Sequence, residues 1–349
     1  MTAQHMNIEI SERLFHFKQP AGTSRGIYTT RRSYMITLKD ANGMILGMGE
    51  CAPLPDLSCD AMPPAEYMEQ LRRFCNMLQS TGEIPYDEMR GYPSMLFGME
   101  TAVRQWQRNG SAALYDTPFS RGEQGITING LIWMGTFEEM YQRIEEKLQK
   151  GFHCVKLKIG AIDWQREIEL VSFIRQHFDS KQIELRVDAN GGFAPEVALE
   201  RLEQLADYDI HSIEQPIRQK QWEQMAELCR KSPIPIALDE ELIGINNTEA
   251  KVQLLDTICP QYIILKPSLH GGMQGCREWI EMARQRGIGS WITSALESNV
   301  GLNAVAHFAA HVYGESLNMP QGLGTGQLFT DNIAMPLEIH GEKLWFKPQ

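Results

Sequence analysis

Residues 153–160 read HCVKLKIG, and this stretch alternates apolar and basic side chains. In an extended chain its apolar residues fall on one side, while Lys156 and Lys158 fall on the other. This period of two, together with the β-branched residues, predicts a β-strand. A lysine on a buried strand needs partners or a function, because its ammonium group otherwise loses hydration without compensation. The alternative is a half-exposed strand with two solvated lysines.

The composition is ordinary for a soluble globular protein. The 349 residues predict two domains or one large one, and they are 43% hydrophobic and 22% charged. The net charge of −11 without basic clusters argues against nucleic acid as a partner. No apolar run is long enough for a membrane span, and no secretory signal is visible. Seven scattered cysteines without a CxxC pair predict reduced thiols and a cytoplasmic location.

The first third of the chain predicts an α+β unit. Two strands at 33–38 and 44–49 flank the turn sequence DANG, which favours a hairpin. The glycine-rich segment 22–26 predicts a mobile loop. Helical patterns follow at 64–79 and 94–109, so strands precede helices.

From about residue 125 strands and helices alternate. Strands are predicted at 126–132, 153–160, 183–188, 211–215, 235–239, 262–266 and 289–294, and helices at 136–150, 164–178 and 195–208. This alternation predicts a parallel sheet and an α/β fold. At least seven units of roughly 30 residues favour a barrel, and the absence of a glycine-rich phosphate loop disfavours an open dinucleotide-binding sheet. The tail segment LEIHGEKLWF is expected to return to the first domain.

Charged residues recur at the carboxyl ends of successive predicted strands. They are Lys158, Asp188, Glu214, Asp239 and Lys266. Their spacings (188 − 158 = 30, 214 − 188 = 26, 239 − 214 = 25, 266 − 239 = 27) each approximate one strand–helix unit. A single carboxylate at a strand end is more often a helix cap or a solvated loop residue. Five in register would stand side by side around one barrel mouth, where such folds carry their chemistry.

Three converging carboxylates would repel one another without a cation. Because the set has oxygen ligands without histidine or cysteine in register, Mg²⁺ is favoured over zinc. Asn190 is placed to support this ligand set, although the run Asn-Gly-Gly is also typical of a simple turn.

The two strand-end lysines would flank the cation. Lysine acts as a base only when its pKa falls toward neutrality, and both Lys156 and a divalent cation would disfavour the charged form of Lys158. This arrangement predicts proton abstraction next to a carboxylate, with the metal stabilising an enediolate. Schiff-base chemistry at a lysine is the alternative, but it would not explain the three carboxylates.

The motifs KLK at 156–158, DAN at 188–190, EQP at 214–216, DE at 239–240 and KP at 266–267 resemble the enolase superfamily, in its muconate-lactonizing-type subgroup. The resemblance spans nearly the whole chain. It implies a modified (β/α)₇β TIM-type barrel over residues 121–324 and an α+β capping domain over 1–120, which the tail 325–349 joins.

Within this subgroup the chain resembles the o-succinylbenzoate synthases. The matching stretches are GECAPLP at 49–55, SALES at 294–298 and GLGTGQLF at 322–329. The resemblance implies Mg²⁺-dependent syn dehydration of 2-succinyl-6-hydroxy-2,4-cyclohexadiene-1-carboxylate in menaquinone biosynthesis, with Mn²⁺ as a substitute metal. The expected partner is therefore a small carboxylate substrate, and the oligomeric state stays open.

The resemblance also implies residue roles. Lys158 would remove the proton and then help the hydroxyl group leave, while Lys266 would stabilise the enediolate from the opposite face, with Lys156 beside them. The implied metal ligands are Asp188, Glu214 and Asp239. Support for the ligands and for Lys158 is expected from Asn190, Arg186 and Glu240. Substrate contacts are expected from Ser294 and from the backbone near Leu323 and Gly324, and also from Thr23 and Arg25 in the loop 22–26, which would close the site.

Some of these positions carry open alternatives. Arg186 would equally suit an interior salt bridge. The position of His270 before two glycines favours a loop residue over a base. Three consecutive acids at 239–241 make the metal ligand ambiguous, and register with the preceding strand selects Asp239.

Two other functions fit the same residues. An N-acylamino acid racemase or a dipeptide epimerase would need both lysines, which are present, although no Asp-x-Asp motif of the dipeptide enzymes lies near 290–325. A non-catalytic, carboxylate-binding barrel is the remote alternative.

Overall fold

The computed structural model describes residues 6–23, 26–160 and 162–348. In the first part of this described chain, three strands form an antiparallel sheet in the order β1-β2-β3. Their bounds are β1 Asn7–Thr23, β2 Gly26–Lys39 and β3 Ile45–Cys51. The predicted hairpin is confirmed, because the Asp40 carboxylate accepts the backbone N–H groups of Asn42 and Met44 in the turn. Both strands extend beyond the predicted limits.

Three helices pack on one face of this sheet: α1 Pro64–Thr81, α2 Tyr86–Met89 and α3 Pro93–Gln107. The approach of α3 to β3 depends on glycine. A Cβ added to Gly49 would lie 1.8 Å from the carbonyl oxygen of Gly98, and one added to Gly98 would lie 2.3 Å from Cys51 Sγ. The predicted order of strands before helices is therefore confirmed, with a core of its own between the two layers.

The predicted strand 126–132 is two strands. β4 (Ile126–Thr127) pairs with a hairpin near the C-terminus, whereas β5 (Gly130–Ile132) begins a parallel sheet. The chain changes partner at Asn129, whose backbone N–H donates to Gln321. Apolar patterning alone does not reveal such a change, because both strands are buried.

Within the described residues seven parallel strands form one sheet, in the same order as in the chain. After β5 they are β6 Cys154–Lys158, β7 Glu184–Asp188, β8 Ile210–Glu214, β9 Ile236–Leu238, β10 Tyr262–Leu265 and β11 Gly289–Ile292. Lys158 pairs with Asp188, and Asp188 pairs with Glu214. The strand ends therefore lie in register, as the residue spacing predicts.

Helices connect these strands. They are α4 Phe137–Gln149, α5 Trp164–His177, α6 Pro195–Ala206, α7 Trp222–Lys231, α8 Thr248–Ile258, α9 Gly272–Gln285 and α10 Asn299–Tyr313. Local sequence explains where they begin. Thr136 and Glu139 form a reciprocal capping box at α4, for example, and Asp163 caps α5. None of the described helices combines the length and the apolar character that a bilayer span requires.

A short segment after α10 contacts both edges of the parallel sheet. Gln321 bridges to Ile128, just before β5, and Gly322 bridges to Thr293, just after β11. Four backbone hydrogen bonds of 2.8–3.0 Å accompany these bridges. The sheet is therefore curled, so that its first and last strands lie on either side of this segment.

The C-terminal tail contacts two regions. Its hairpin, β12 (Leu337–His340) and β13 (Lys343–Phe346), adds β13 to the edge of β4. In the described chain the hairpin pairs with β4, which offers the open edge, rather than with the first domain as expected. The residues before the hairpin bond to β1, through Phe329 and its neighbours.

Two buried carboxylates dock the first sheet and α3 onto the helices of the parallel sheet. Glu50 on β3 accepts the N–H groups of Ser298 and Gly301 at the start of α10, at 2.9 and 3.0 Å. Glu100 on α3 accepts the N–H group of Met273 in the first turn of α9. Each carboxylate satisfies helix N–H groups that have no partner within the helix.

Candidate active site

The lysine strand β6 is buried along its whole length. Lys156 and Lys158 are only 6% and 8% exposed, so the alternative of solvated lysines is wrong. Lys156 forms ion pairs with Asp188 and Glu214. Lys158 donates to Asp188 Oδ2 at 2.9 Å and to Asn190 Oδ1 at 2.7 Å. Both buried ammonium groups thus have the partners that their burial requires.

The remaining predicted pair completes an alternating set of charges. Lys266 directly follows β10, and its ammonium group contacts Asp239 Oδ2, which follows β9. Asp188, Glu214 and Asp239 are each at most 2% exposed. The structure therefore brings together all five strand-end residues, with Lys156 beneath Lys158 as the sixth charge.

These charges shift one another's pKa values. Burial disfavours ionised Asp188, but Lys156 and Lys158 outweigh it and hold the pKa of Asp188 below its usual value. In the same way Lys266 holds the pKa of Asp239 low despite its burial. Burial, reinforced by the charge of Asp188, raises the pKa of Glu214. Burial opposes the ammonium forms of Lys156 and Lys266, yet the neighbouring carboxylates raise the pKa of both lysines.

The carboxylates also leave oxygen atoms for a cation. Glu214 Oε1 and Asp239 Oδ1 are buried and accept no hydrogen bond from any described residue. Such orphaned oxygens are costly unless a cation or donor contacts them. Among the described residues, no three acidic, histidine or cysteine side chains are arranged as a ready metal cage. Lysine ammonium groups contact the carboxylates instead. The oxygen donors of the predicted ligand set fit a divalent cation, and the set itself stays a prediction.

Two residues of the site have left-handed backbone conformations. Asn190 and Gln215, at φ 44° and 39°, follow the ends of β7 and β8. Asparagine tolerates this region, whereas glutamine adopts it at a cost that is typical of functional sites. At Asn190 this conformation lets the side chain accept from Lys158 while its Nδ2 donates to Glu240 Oε1 at 3.0 Å. Asn190 is thus adjacent to the lysine, and Glu240 contacts Asn190.

The third consecutive acid, Glu241, has a structural role. Its carboxylate accepts the backbone N–H of Lys220 at 2.7 Å and Gln215 Nε2 at 3.4 Å. Gln215 Oε1 in turn accepts the backbone N–H groups of Asp239 and Glu241, each at 3.2 Å. Glu241 therefore holds the loop that positions Asp239, and it does not reach the ligand cluster through these contacts.

A cavity of about 510 Å³ lies over the charged cluster. Lys158, Lys266 and Asn190 line it, together with the predicted contacts Ser294 and Gly324. Ser294 Oγ shares a 2.6 Å hydrogen bond with Thr325 Oγ1, so this hydroxyl pair presents polar atoms at one wall. A volume of this size suits a small organic ligand.

Part of the remaining cavity wall is apolar, and sequence reasoning did not identify it. This part is formed by Tyr28, Leu54, Leu57, Trp133, Leu269, Leu296 and Leu328. The Trp133 ring centre lies 6.0 Å from Lys158 Nζ. The position of Trp133 immediately after β5 was the available signal, because strand ends in this sheet face the cavity. The remaining walls come from loops far apart in the sequence.

Two predicted site residues need correction. Arg186 pairs with Glu184 and donates to Pro320 O, with its guanidinium 4.4 Å from the Trp291 ring centre, so it supports neither Lys158 nor the carboxylates. Its side chain lies on the same strand face as Asp188 but two residues deeper. The side chain of Leu323 is fully buried in the main core, and Leu323 does not line the cavity, whereas Gly324 does.

The predicted closing loop is only partly described. Arg25 and the side chain of Thr23 lie outside the described residues. Its flanks, Gln19 and Tyr28, line the cavity, and the Tyr28 hydroxyl donates to the Asp56 carboxylate at 2.6 Å. Closure by the loop stays a prediction.

Comparison with known proteins decides the family. A family model described as Enolase C-terminal domain-like matches residues 139–342. The o-succinylbenzoate synthase of Desulfotalea psychrophila is 44% identical, over 93% of this chain and 95% of that protein. The chain belongs to the o-succinylbenzoate synthase family of the enolase superfamily.

Solved structures agree with this family. The crystal structure of MenC from Desulfotalea psychrophila has a TM-score of 0.81 and 40% identity, over 98% of this chain and 99% of that one. Other branches of the superfamily are more distant. The L-Ala-D/L-Glu epimerase of Bacillus subtilis is 29% identical over 50% of this chain and 47% of that protein. Muconate lactonizing enzyme from Pseudomonas fluorescens, at TM-score 0.80 and 22% identity over 99% of this chain and 95% of that one, shares the fold.

Proposed function

We propose that this member of the o-succinylbenzoate synthase family dehydrates 2-succinyl-6-hydroxy-2,4-cyclohexadiene-1-carboxylate to o-succinylbenzoate, a step of menaquinone biosynthesis. The observation that carries the proposal is the position of Lys158 and Lys266 in one cavity, directly over three buried carboxylates. The relative at 44% identity bears the name of this activity. The cavity has apolar walls for a six-membered ring and cationic groups for carboxylates.

Mg²⁺, for which Mn²⁺ would substitute, is the proposed cofactor. Asp188, Glu214 and Asp239 would hold it, since their hard oxygen donors suit this ion and two of their oxygens have no described donor. When bound, the ion would neutralise a substrate carboxylate and stabilise negative charge that develops on it. The charge of the ion would also compensate the carboxylates, so that the lysines need not supply this positive charge.

The chain's own residues then account for the proton transfers. Lys158 Nζ, in its neutral form, would take the proton from the ring carbon next to the carboxylate. The C–O bond at the neighbouring position breaks, and Lys158 returns that proton to the departing hydroxide, which leaves as water. Asn190 orients the Lys158 amine through its 2.7 Å hydrogen bond. Lys266 supplies positive charge beside Asp239, and the apolar walls exclude bulk water.

The same proposal includes the architecture that the family implies. Gln321 and Gly322 would act as the last strand of a closed (β/α)₇β barrel, which their bridges to Ile128 and Thr293 support. Residues 1–120 would form the capping domain, which the tail 325–349 joins, and residues 121–324 would form the barrel.

Ultraviolet-monitored conversion of the cyclohexadiene substrate tests the proposal. The wild type is assayed with Mg²⁺ and with chelator, alongside Lys158→Ala and the exposed-site control Lys181→Ala. We expect metal-dependent turnover that Lys158→Ala reduces at least about 10³-fold and the control leaves unchanged. Absence of turnover by the wild type with metal would refute the synthase activity. Equal turnover by Lys158→Ala would refute the role of this lysine.

A racemase or epimerase is the second candidate. The epimerase relatives and the presence of both lysines at the cavity favour it. Exchange of the α-proton of N-acylamino acids and dipeptides in D₂O tests this activity directly. Exchange without dehydration would replace the proposed function, and a protein that does neither would support a non-catalytic, carboxylate-binding barrel.

A further inference from the structure

His270 lies in the loop between β10 and α9, and the proposed reaction does not use it. Its side chain is 1% exposed. The ring Nδ1 accepts the backbone N–H of Lys266 at 2.9 Å, so Nδ1 carries no proton. The ring proton is therefore on Nε2.

The protonated side of this ring faces Asp239. His270 Nε2 lies 3.9 Å from Asp239 Oδ1, just beyond hydrogen-bond distance, and by strict geometry neither atom has a hydrogen-bond partner among the described residues, although the ring also interacts with the Asp239 main chain. The other oxygen of the same carboxylate, Oδ2, contacts the Lys266 ammonium group. His270 thus contacts the backbone of one member of this ion pair and faces the carboxylate of the other.

A purely structural histidine would explain the burial but not this arrangement. A side chain that only fills space would not be expected to bury an N–H group opposite an unpaired carboxylate oxygen, because each unpaired group costs free energy. Metal-ligating carboxylates, by contrast, are commonly held by hydrogen bonds from a surrounding group, and loss of that group weakens metal binding.

We propose that His270 is a positioning residue: a shift of about 1 Å in the Asp239 carboxylate would let His270 donate its Nε2–H to Oδ1 and so orient this carboxylate for the divalent cation. The inference rests on the proposed cofactor site and deepens it. Because Nδ1 is fixed by the backbone of Lys266, the imidazole sets the orientation of Asp239 relative to that lysine.

Two substitutions separate the nitrogen atoms of the ring. In His270→Gln the amide nitrogen reaches about as far as Nε2 and restores a donor to Asp239. In His270→Asn the amide oxygen approximates Nδ1 and keeps the contact with Lys266, but no donor reaches Asp239. His307→Asn is the matched control, since His307 is equally buried, with an unpartnered Nε2, but packs between Phe119 and Phe346.

The measurement is the Mg²⁺ dissociation constant of each full-length protein, by calorimetry without substrate after removal of metal with chelator. The Mg²⁺-dependent rise in melting temperature is the second readout. We expect His270→Asn to bind Mg²⁺ about 10–100-fold more weakly than wild type. His270→Gln should stay within about threefold, and His307→Asn should change melting temperature without changing Mg²⁺ affinity.

Wild-type Mg²⁺ affinity in His270→Asn would overturn the proposal. An equal loss of affinity in both His270 variants, together with lowered metal-free stability, would also overturn it, because this result would indicate a structural role only. Failure of the wild type to bind Mg²⁺ would overturn the cofactor site and this inference together. A wild type that binds Mg²⁺ but does not dehydrate the substrate would refute the synthase activity alone.

Discussion

Lys158 and Asn190 are joined by a 2.7 Å hydrogen bond at the floor of the cavity, and the Asn190 amide continues to Glu240 Oε1. A flexible lysine is thereby held at one place in the site. Positioning of this kind matters because a displacement of about 1 Å in a reacting group can lower the rate about 10²-fold.

We therefore predict that Asn190→Gly lowers kcat about 10–100-fold while leaving the fold intact. Glycine removes the side chain but accepts the backbone φ of 44°, so the variant avoids the strain that alanine would add. Steady-state dehydration kinetics measure the effect. Asn109→Gly, at an exposed position with φ 53°, is the control and should retain full activity. An unchanged kcat in Asn190→Gly would show that Asn190 does not position the base.

The burial of Lys156 predicts a strong effect on stability. Lys156→Met leaves Asp188 and Glu214 buried without their shared cation, which should cost about 3–5 kcal/mol of unfolding free energy. Mg²⁺ should recover part of this loss, because it would supply the missing positive charge. Urea unfolding with chelator and with Mg²⁺ measures both effects.

The control for Lys156 is an exposed ion pair. Lys150→Met breaks the pair with Glu146, in which both side chains are more than half exposed, and should cost less than about 1 kcal/mol. Similar losses in the two variants would mean that burial of Lys156 is not what makes its charge important.

The sequence predicted the parts of the site that regular strands position. The five charged strand ends follow one another at the length of a strand–helix unit, so parallel pairing brings them together without knowledge of any loop. Arg186 shows the limit of this reasoning. It shares a strand face with Asp188, but it lies one step deeper along that face. There its partners are Glu184 and Pro320.

Features that depend on distant segments could not be predicted. The split of 126–132 depends on an edge that only the C-terminal hairpin fills, and the apolar cavity walls come from separate loops. His270 is a further case, since a lone histidine before two glycines is more often a loop residue. Only the distance to Asp239 distinguishes it.

Glu100 makes stability depend on pH. Its carboxylate is buried at the start of α9, where it accepts from Met273 and Gln274, and burial raises its pKa to about 8 from the usual 4.5. Between these values the folded protein keeps a proton that the unfolded chain has lost. The contribution of this group is therefore fully present below about pH 4.5 and is lost as pH rises toward 8.

Glu100→Gln removes this titration. From pH 5 to pH 9 the unfolding free energy of the variant, relative to that of wild type, should increase by a few kcal/mol, so the variant gains stability relative to wild type. Urea unfolding at each pH gives the difference directly, since all other titrations are common to both proteins. Glu69→Gln, at an exposed position, is measured in the same way as the control. A flat difference for Glu100→Gln would mean that its carboxyl group ionises normally in the folded state.

The contact between α3 and β3 predicts which glycines tolerate a side chain. In Gly98→Ala the new methyl group would lie 2.3 Å from Cys51 Sγ and 3.0 Å from the Cys51 backbone nitrogen. Neither Cys51 nor the helix can yield without moving β3, so we expect a loss of about 1–3 kcal/mol in unfolding free energy. Gly91→Ala is the control, because nothing lies within 4 Å of its added Cβ. It should leave the urea midpoint unchanged or raise it slightly, since alanine reduces the freedom of the unfolded chain. Equal midpoints for the two variants would show that α3 and β3 can separate without cost, contrary to the close packing that joins them.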